Sequence, residues 1–197
     1  MNIVLAFDGK AIPALAACVK SIELAHEDGQ VDVYLLHNAL PVDEEAKLRS
    51  FCKSLRVRTH FIEIDVTDLE RHFARVPKSH YPIAVLFRLL IARYLPPQVG
   101  RVIYLDNDTL VMSSLRPLFA MELDGKILAA RRDLGKSHLN DFGVDARDYF
   151  NSGVMLIDME KWRSRNVEGE LLGVLKEHAE RLLLPDQCAL NIVMRGR

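Results

Sequence analysis

"RVIYLDNDTLV", Arg101 to Val111, is an apolar run that ends in two aspartates separated by one asparagine. Val102 to Leu105 reads as a buried strand, and Asp106 and Asp108 stand where it runs out. "IVLAF", Ile3 to Phe7, is a second such run and is followed by Asp8. Around these two, the elements alternate. Pro13 opens a helix with Leu15, Cys18, Ile22 and Ala25 at helical spacing. "VDVYLLH" (Val31–His37) is the next strand, and after Pro41 an amphipathic helix begins with acidic residues that suit its first turn. "RVRTHFIEI" (Arg56–Ile64) alternates as a third strand, followed by a short helix near Leu69–Phe73 and a loop at "RVPKSHYP". The pattern predicts a strong helix over Ile83–Leu95, ended by Pro96 and Pro97. Beyond the opening stretch come a strand at Lys126–Arg132, a polar loop from Asp133 to Asp148 and a strand at Asn151–Asp158. Helical stretches around Met159–Arg165, Glu168–Leu184 and from Asp186 finish the chain. Strand and helix in alternation predict an α/β fold, a mostly parallel Rossmann-like sheet with helices on both faces.

The 197 residues suffice for one domain with a sizeable core, and no repeat, low-complexity tract or linker divides them. A net charge of −1 provides no global attraction to nucleic acid or anionic lipid, so a polyanionic ligand needs a local site. Cys18, Cys52 and Cys188 are odd in number, far apart and without metal-ligand spacing; they read as reduced core thiols of a cytoplasmic protein. "MNIVLAFDGK" has no basic leader and its apolar run stops at Asp8, so it reads neither as a signal peptide nor as a membrane span.

In an open α/β sheet, ligands bind beyond the carboxyl ends of the strands. Asp8 and Asp106 are expected at that edge, and Asp133 also follows an apolar strand. If the chain stays extended through Asp106 and Asp108, their side chains point the same way. Two like charges so close repel unless a cation sits between them, and a hard divalent ion such as magnesium or manganese is the natural choice for oxygen ligands. A plainer reading is a turn, because Asp and Asn bond their own backbone at strand ends.

"DNDTL" also resembles the D-x-D-x-[TV] opening of haloacid-dehalogenase-type phosphatases, in which Asp106 would be the nucleophile and Asp108 the general acid. In that family the motif usually lies on the first strand. Here three strands precede it, and no later acidic pair of the G-D-x-x-x-D type follows.

A broader resemblance covers nearly the whole chain. "SHYPIAVLFRLLIARYLPPQVGRVIYLDNDTLV", "YFNSGVMLIDMEKWR" (Tyr149–Arg163) and "LPDQCALNIV" (Leu184–Val193), with the N-terminal "IVLAFD", resemble glycosyltransferase family 8 in the family's order. These are retaining sugar transferases, with lipopolysaccharide galactosyl- and glucosyltransferases among them. The resemblance implies a GT-A fold and a UDP-hexose donor. It further implies a manganese or magnesium ion and a saccharide or lipid-linked saccharide acceptor, which would bring a cytoplasmic enzyme close to the inner membrane.

By the same resemblance Asp106 and Asp108 bind the metal, and through it the donor diphosphate. Ala6 and Asp8 belong to the donor site, Asn107 faces the ribose, and Arg88 lies near the donor. Read on its own helix, Arg88 stands beside the stripe Ile83, Leu86, Phe87, Leu90 and Ile91, where an arginine can also snorkel to solvent. Asn151 and Ser152 match positions approaching the sugar, with Gly153 allowing close backbone approach; Asn-Ser-Gly is equally a turn entering a strand. Asp133 and Asp186 match acids near the sugar hydroxyls, although Pro185-Asp186 also reads as a helix start. Gln187 matches the residue at the β-face of the anomeric carbon. An amide is a weak nucleophile, so Gln187 is expected to stabilise positive charge there, with retention coming from front-side attack by the acceptor. Asn151, Asp186 and Gln187 are thus the expected catalytic group, and Lys136 and His138 read as solvent-exposed loop positions.

Two departures stand out. Where the family often has D-D-N-Y, with the tyrosine stacking on uracil, this chain has "DGKA", Asp8 to Ala11. The family's third metal ligand comes from a later H-x-x-G-x-x-K-P-W motif, and none of His26, His37, His60, His72, His80, His138 and His178 sits in one. The expectation is a piece of a longer transferase, with weakened metal binding. A third reading keeps the fold without the chemistry, as a catalytically inactive UDP-sugar-binding module.

Overall fold

The structure, a computed structural model, describes residues 1–28, 30–67, 69, 82–133 and 139–197. The short helix expected beyond Leu69, the loop up to Tyr81, and Lys136 and His138 lie outside the described residues. Six strands form one sheet: β1 (Asn2–Phe7), β2 (Asp32–His37), β3 (Arg58–Glu63), β4 (Arg101–Asp106), β5 (Leu128–Arg132) and β6 (Phe150–Asp158). Their order is β3-β2-β1-β4-β6-β5. The first four are parallel, while β6 runs antiparallel to both β4 and β5. The sheet is therefore mostly parallel, as expected.

Alternation along the strands sorts side chains onto two cores. Ile3, Leu5 and Phe7 of β1 and Ile103 and Leu105 of β4 pack with α1 (Ile12–Ala25) and α2 (Val42–Lys53). Val4, Ala6, Val102 and Tyr104 face the other side. That side is covered by the Ile83–Leu90 segment, α3 (Ile91–Tyr94), α5 (Met159–Ser164), α6 (Val167–His178) and α7 (Pro185–Met194). A further single helical turn is α4 (Arg116–Phe119). Cys18, Cys52 and Cys188 are buried and unpaired. Burial pushes the Cys18 thiol up to about 12 and Cys52 up to about 11, which keeps both protonated and unreactive.

The chain order fixes where a ligand can sit. From β1 the chain builds outward to β2 and β3, then crosses back to lay β4 on the other side of β1. This is the switch point at which α/β sheets open a crevice. Ala6 is in register with Asp106, so Asp8 and the aspartate pair meet there. Because β6 is antiparallel, it enters at this same edge with Phe150, Asn151 and Ser152. β5 leaves at it, just before Asp133.

Two local expectations are corrected. Ile83–Leu90 is a 3-10 helix, and only Ile91–Tyr94 continues as α-helix. At three residues per turn, residues at i and i+3 eclipse. Pro82, Val85 and Arg88 accordingly line one cleft, and Arg88 is 6% exposed instead of snorkelling. The chain also does not stay extended through Asp106–Asp108: it turns, with the Thr109 amide donating to the Asp106 carbonyl at 3.1 Å. The following segment is stapled to α1, where Ser21 Oγ accepts from the Val111 amide and His26 Nε2 from the Leu115 amide, both at 2.9 Å.

Candidate active site

At the switch point a cleft of about 260 Å³ is lined by Ala6, Asp8, Ala11, Pro82, Ala84, Val85, Arg88, Asp106, Asn107 and Asp108. Each element contributes for a local reason. Asp8 caps the turn Gly9–Ala11, its Oδ1 accepting from the Lys10 and Ala11 amides at 3.0 and 3.2 Å. Asn107 donates to the Ala6 carbonyl at 2.6 Å, tying the turn after β4 to the end of β1. Asp108 stands exposed on that turn. The walls beside Ala11, Pro82, Ala84 and Val85 are apolar, while the Asp106–Asp108 end is strongly acidic.

Arg88 organises the closed end. Its Nη2 donates to Asp106 Oδ1 at 2.7 Å, and its Nε lies 3.0 Å from Asp186 Oδ2. Nη1 donates to the Ser152 carbonyl and hydroxyl at 3.0 and 3.1 Å. The guanidinium lies 4.7 Å from the centre of the Tyr104 ring, a cation–π contact. Burial opposes the charge, but Tyr104, Asp186 and Asp106 together hold the guanidinium's pKa above its ordinary value. For Asp186 a raised pKa disfavours the charged form: burial raises it, and Arg88 only partly offsets this. Burial also raises Tyr104, whose hydroxyl lies 3.5 Å from Asp106 Oδ1.

Gln187, in the first turn of α7, is saturated with partners. Its oxygen accepts from the Ser152 amide at 3.0 Å. Its nitrogen donates to Asp133 Oδ2 and to Tyr149 Oη, each at 3.0 Å. An amide oxygen already accepting a hydrogen bond is a still weaker nucleophile than a free one. Asn151 is exposed on the lip of β6, where its Oδ1 accepts from the Gly153 amide at 2.8 Å.

The structure therefore gathers the expected residues into two joined groups. Ala6, Asp8, Arg88, Asn107, Asp106 and Asp108 line the cleft; Asp133, Ser152, Asp186 and Gln187 form a hydrogen-bonded network behind it, with Arg88 in both. Tyr104 and Tyr149 were not singled out from sequence. Tyr104 is two residues before Asp106 on a strand, and so on the same face, which is the signal that could have found it. Tyr149 offered only its place at the head of the "YFNSGV" block.

Gly153 has a further role. A Cβ there would overlap Asp106 Oδ2 and lie 3.0 Å from Asn151 Oδ1. Asp106 is pinned by Arg88 and cannot swing aside freely. Gly153→Ala is expected to cost about 1–3 kcal/mol, the usual range for overpacking, read as a lower urea midpoint. An unchanged midpoint would show that the carboxylate has room to move.

Among the described residues, no group of three or more His, Cys, Asp or Glu side chains could hold a metal. Asp106 and Asp108 do share one end of the cleft, which Asp8 also lines, and magnesium-type sites commonly use one or two carboxylates plus substrate phosphates. The donor set thus fits a hard divalent ion that is completed by a phosphorylated ligand.

Known proteins resemble the chain over nearly its whole length. The family model for glycosyl transferase family 8 matches residues 2–197. General stress protein A of Bacillus subtilis (strain 168) is 30% identical over 85% of this chain and 59% of its own length. The lipopolysaccharide 1,2-glucosyltransferase of Escherichia coli (strain K12) is 23% identical over 100% of this chain and 59% of its own. The chain thus spans less than two thirds of these relatives. Among solved structures, the galactosyltransferase LgtC in complex with donor and acceptor sugar analogues superposes with a TM-score of 0.86 at 27% identity. It covers 98% of this chain and 70% of that one.

Proposed function

The chain belongs to glycosyl transferase family 8, and on that premise we propose that it forms the donor-binding domain of a retaining hexosyltransferase. The reaction is transfer of galactose or glucose from a UDP-hexose to a glycan or lipopolysaccharide-type acceptor. The observation that carries this reading is the two-ended cleft at the β1/β4 switch point. An apolar slot beside Asp8 suits a nucleoside, and Asp106, Asp108 and Arg88 form a charged end suited to a diphosphate. Asp106 and Asp108 would hold a divalent ion, manganese or magnesium, which would supply Lewis-acid neutralisation of negative charge on the diphosphate.

The remaining steps fall to the chain's own groups. Arg88 is a fixed buried cation that holds Asp106 and Asp186 in place and keeps their mutual repulsion low. Asp133 and Asp186 accept hydroxyls of the sugar, and Asn151 meets the sugar or acceptor from the exposed lip. Gln187, held by Ser152, Asp133 and Tyr149, presents a dipole toward positive charge at the anomeric carbon and does not attack it. Retention follows from front-side attack; a sugar covalently attached to Gln187 would overturn that step. No described helix is long and apolar enough to cross a membrane. A lipid-linked acceptor would bring the enzyme close to the inner membrane, and the reduced thiols fit a cytoplasmic site.

Calorimetric titration of UDP into the protein, with and without manganese, tests the reading. Binding that requires manganese, with UDP released from UDP-galactose or UDP-glucose, is the expected result. UDP affinity without turnover of any UDP-hexose would identify an inactive binding module instead. Absence of UDP binding in both conditions would remove the donor reading. The phosphatase alternative has no observation in its favour once the family match covers the chain.

A further inference from the structure

Near the site β6 runs past its neighbour. Its pairing with β4 extends only to Leu105 opposite Val154, because β4 ends at Asp106 and the chain turns away. Its register with β5 also shifts between Ala130 and Arg132. Arg132 of β5 is again opposite Phe150, but on the β4 side the main-chain groups of Phe150 and Ser152 need partners from elsewhere, since buried backbone groups left unpaired are costly.

Helix α7 supplies three of these four partners. Asn191, 2% exposed, takes both main-chain groups of Phe150: its Oδ1 accepts from the Phe150 amide at 2.8 Å, and its Nδ2 donates to the Phe150 carbonyl at 2.9 Å. The same Nδ2 donates to the Gln187 carbonyl at 2.9 Å. One turn earlier, the Gln187 oxygen accepts from the Ser152 amide, and Arg88 satisfies the Ser152 carbonyl. The match is geometric. Residues four apart on a helix face the same way at about 5–6 Å, and residues two apart on a strand repeat at about 6.6 Å. Two carboxamides at i and i+4 can therefore meet two backbone units at i and i+2.

We propose that Gln187 and Asn191 together stand in for the missing strand beside β6, with Asn191 as a positioning residue for the transfer reaction. By holding Phe150, it sets the height of Ser152 and so the orientation of the Gln187 amide. It likewise fixes Gly153, against which Asp106 rests. The catalytic part of this inference rests on the proposed transferase reading; the clamp itself does not.

Asn191→Asp is the near-isosteric test. It keeps an acceptor for the Phe150 amide, loses the donor to two carbonyls, and sets a carboxylate against both. Amide hydrogen exchange at Phe150 and Ser152 is expected to accelerate about tenfold, the scale of one net hydrogen bond, with Val102–Leu105 unchanged. With a UDP-hexose, kcat is expected to fall about 100-fold, as small misplacements of catalytic groups do, with KM nearly unchanged. Unaltered exchange at the lip would overturn the clamp. A lowered Tm with kcat intact would reduce Asn191 to a structural residue and overturn its positioning role. If wild-type protein turns over no UDP-hexose, the transferase reading fails while the exchange result still decides the clamp. Should the variant not fold, wild-type exchange decides: a Phe150 amide exchanging as fast as an exposed loop contradicts the proposal.

Discussion

Arg88→Met is expected to destabilise the protein by about 3–5 kcal/mol, the range for removing one partner of a buried ion pair. The two carboxylates respond differently. Asp106 has a side chain 37% exposed and can turn toward water, whereas that of Asp186 is only 11% exposed. The main cost therefore falls on Asp186, together with the lost bonds to the Ser152 and Val85 carbonyls. The pH dependence follows. Burial already holds the Asp186 carboxyl above its ordinary value of 3.8, and without Arg88 only the Gln187 and Asp186 backbone amides pull it back. In the unfolded chain it ionises near that ordinary value. The penalty is thus fully present above the raised folded value and shrinks as pH falls through it, where Asp186 takes up a proton. Urea melts should show R88M losing less stability at about pH 5 than at about pH 8. Adding Asp186→Asn should recover part of the loss, because the neutral amide no longer needs the cation. A pH-independent loss, with no recovery in the double variant, would mean that Arg88 acts through packing alone.

Much of this arrangement was legible in the chain. Apolar runs ending in Asp8 and Asp106 placed two carboxylates on one edge of a parallel sheet, and the structure puts Ala6 in register with Asp106. What the pattern missed, it missed for definable reasons. Apolar spacing over Ile83–Leu95 does not separate a 3-10 from an α-helix, because a segment buried on nearly every side has no polar face to report its period. Arg88 looked like a flank residue because its partners, Asp106 and Asp186, lie far along the chain. Asn191 was hidden by the same long range. It bonds to a backbone, and no side-chain type at position 150 announces a backbone in need of partners. Periodicity reports faces of elements, whereas the site is made by contacts between elements.

The two aspartates of "DND" should separate when each is changed alone. Asp108 is exposed on a turn, while Asp106 carries the ion pair with Arg88 and packs against Gly153. Asp108→Asn is expected to leave stability within about 0.5 kcal/mol, as for surface positions. It should also abolish the effect of manganese on UDP binding and lower turnover by about 10²–10³, the scale of removing one electrostatic stabiliser of developing charge. Asp106→Asn should lower turnover comparably but also cost about 1 kcal/mol of stability, since the amide oxygen still accepts from Arg88 without the charge. Calorimetric titration of UDP and thermal melts on both variants make the comparison. Manganese-dependent UDP binding that survives in Asp108→Asn would exclude the pair as the cation site. Equal stability losses in the two would show that the Arg88 contact contributes nothing net. The expected asymmetry arises because one carboxylate does two jobs. Its second oxygen can serve a cation at the mouth of the cleft only because the first is already held from behind by Arg88.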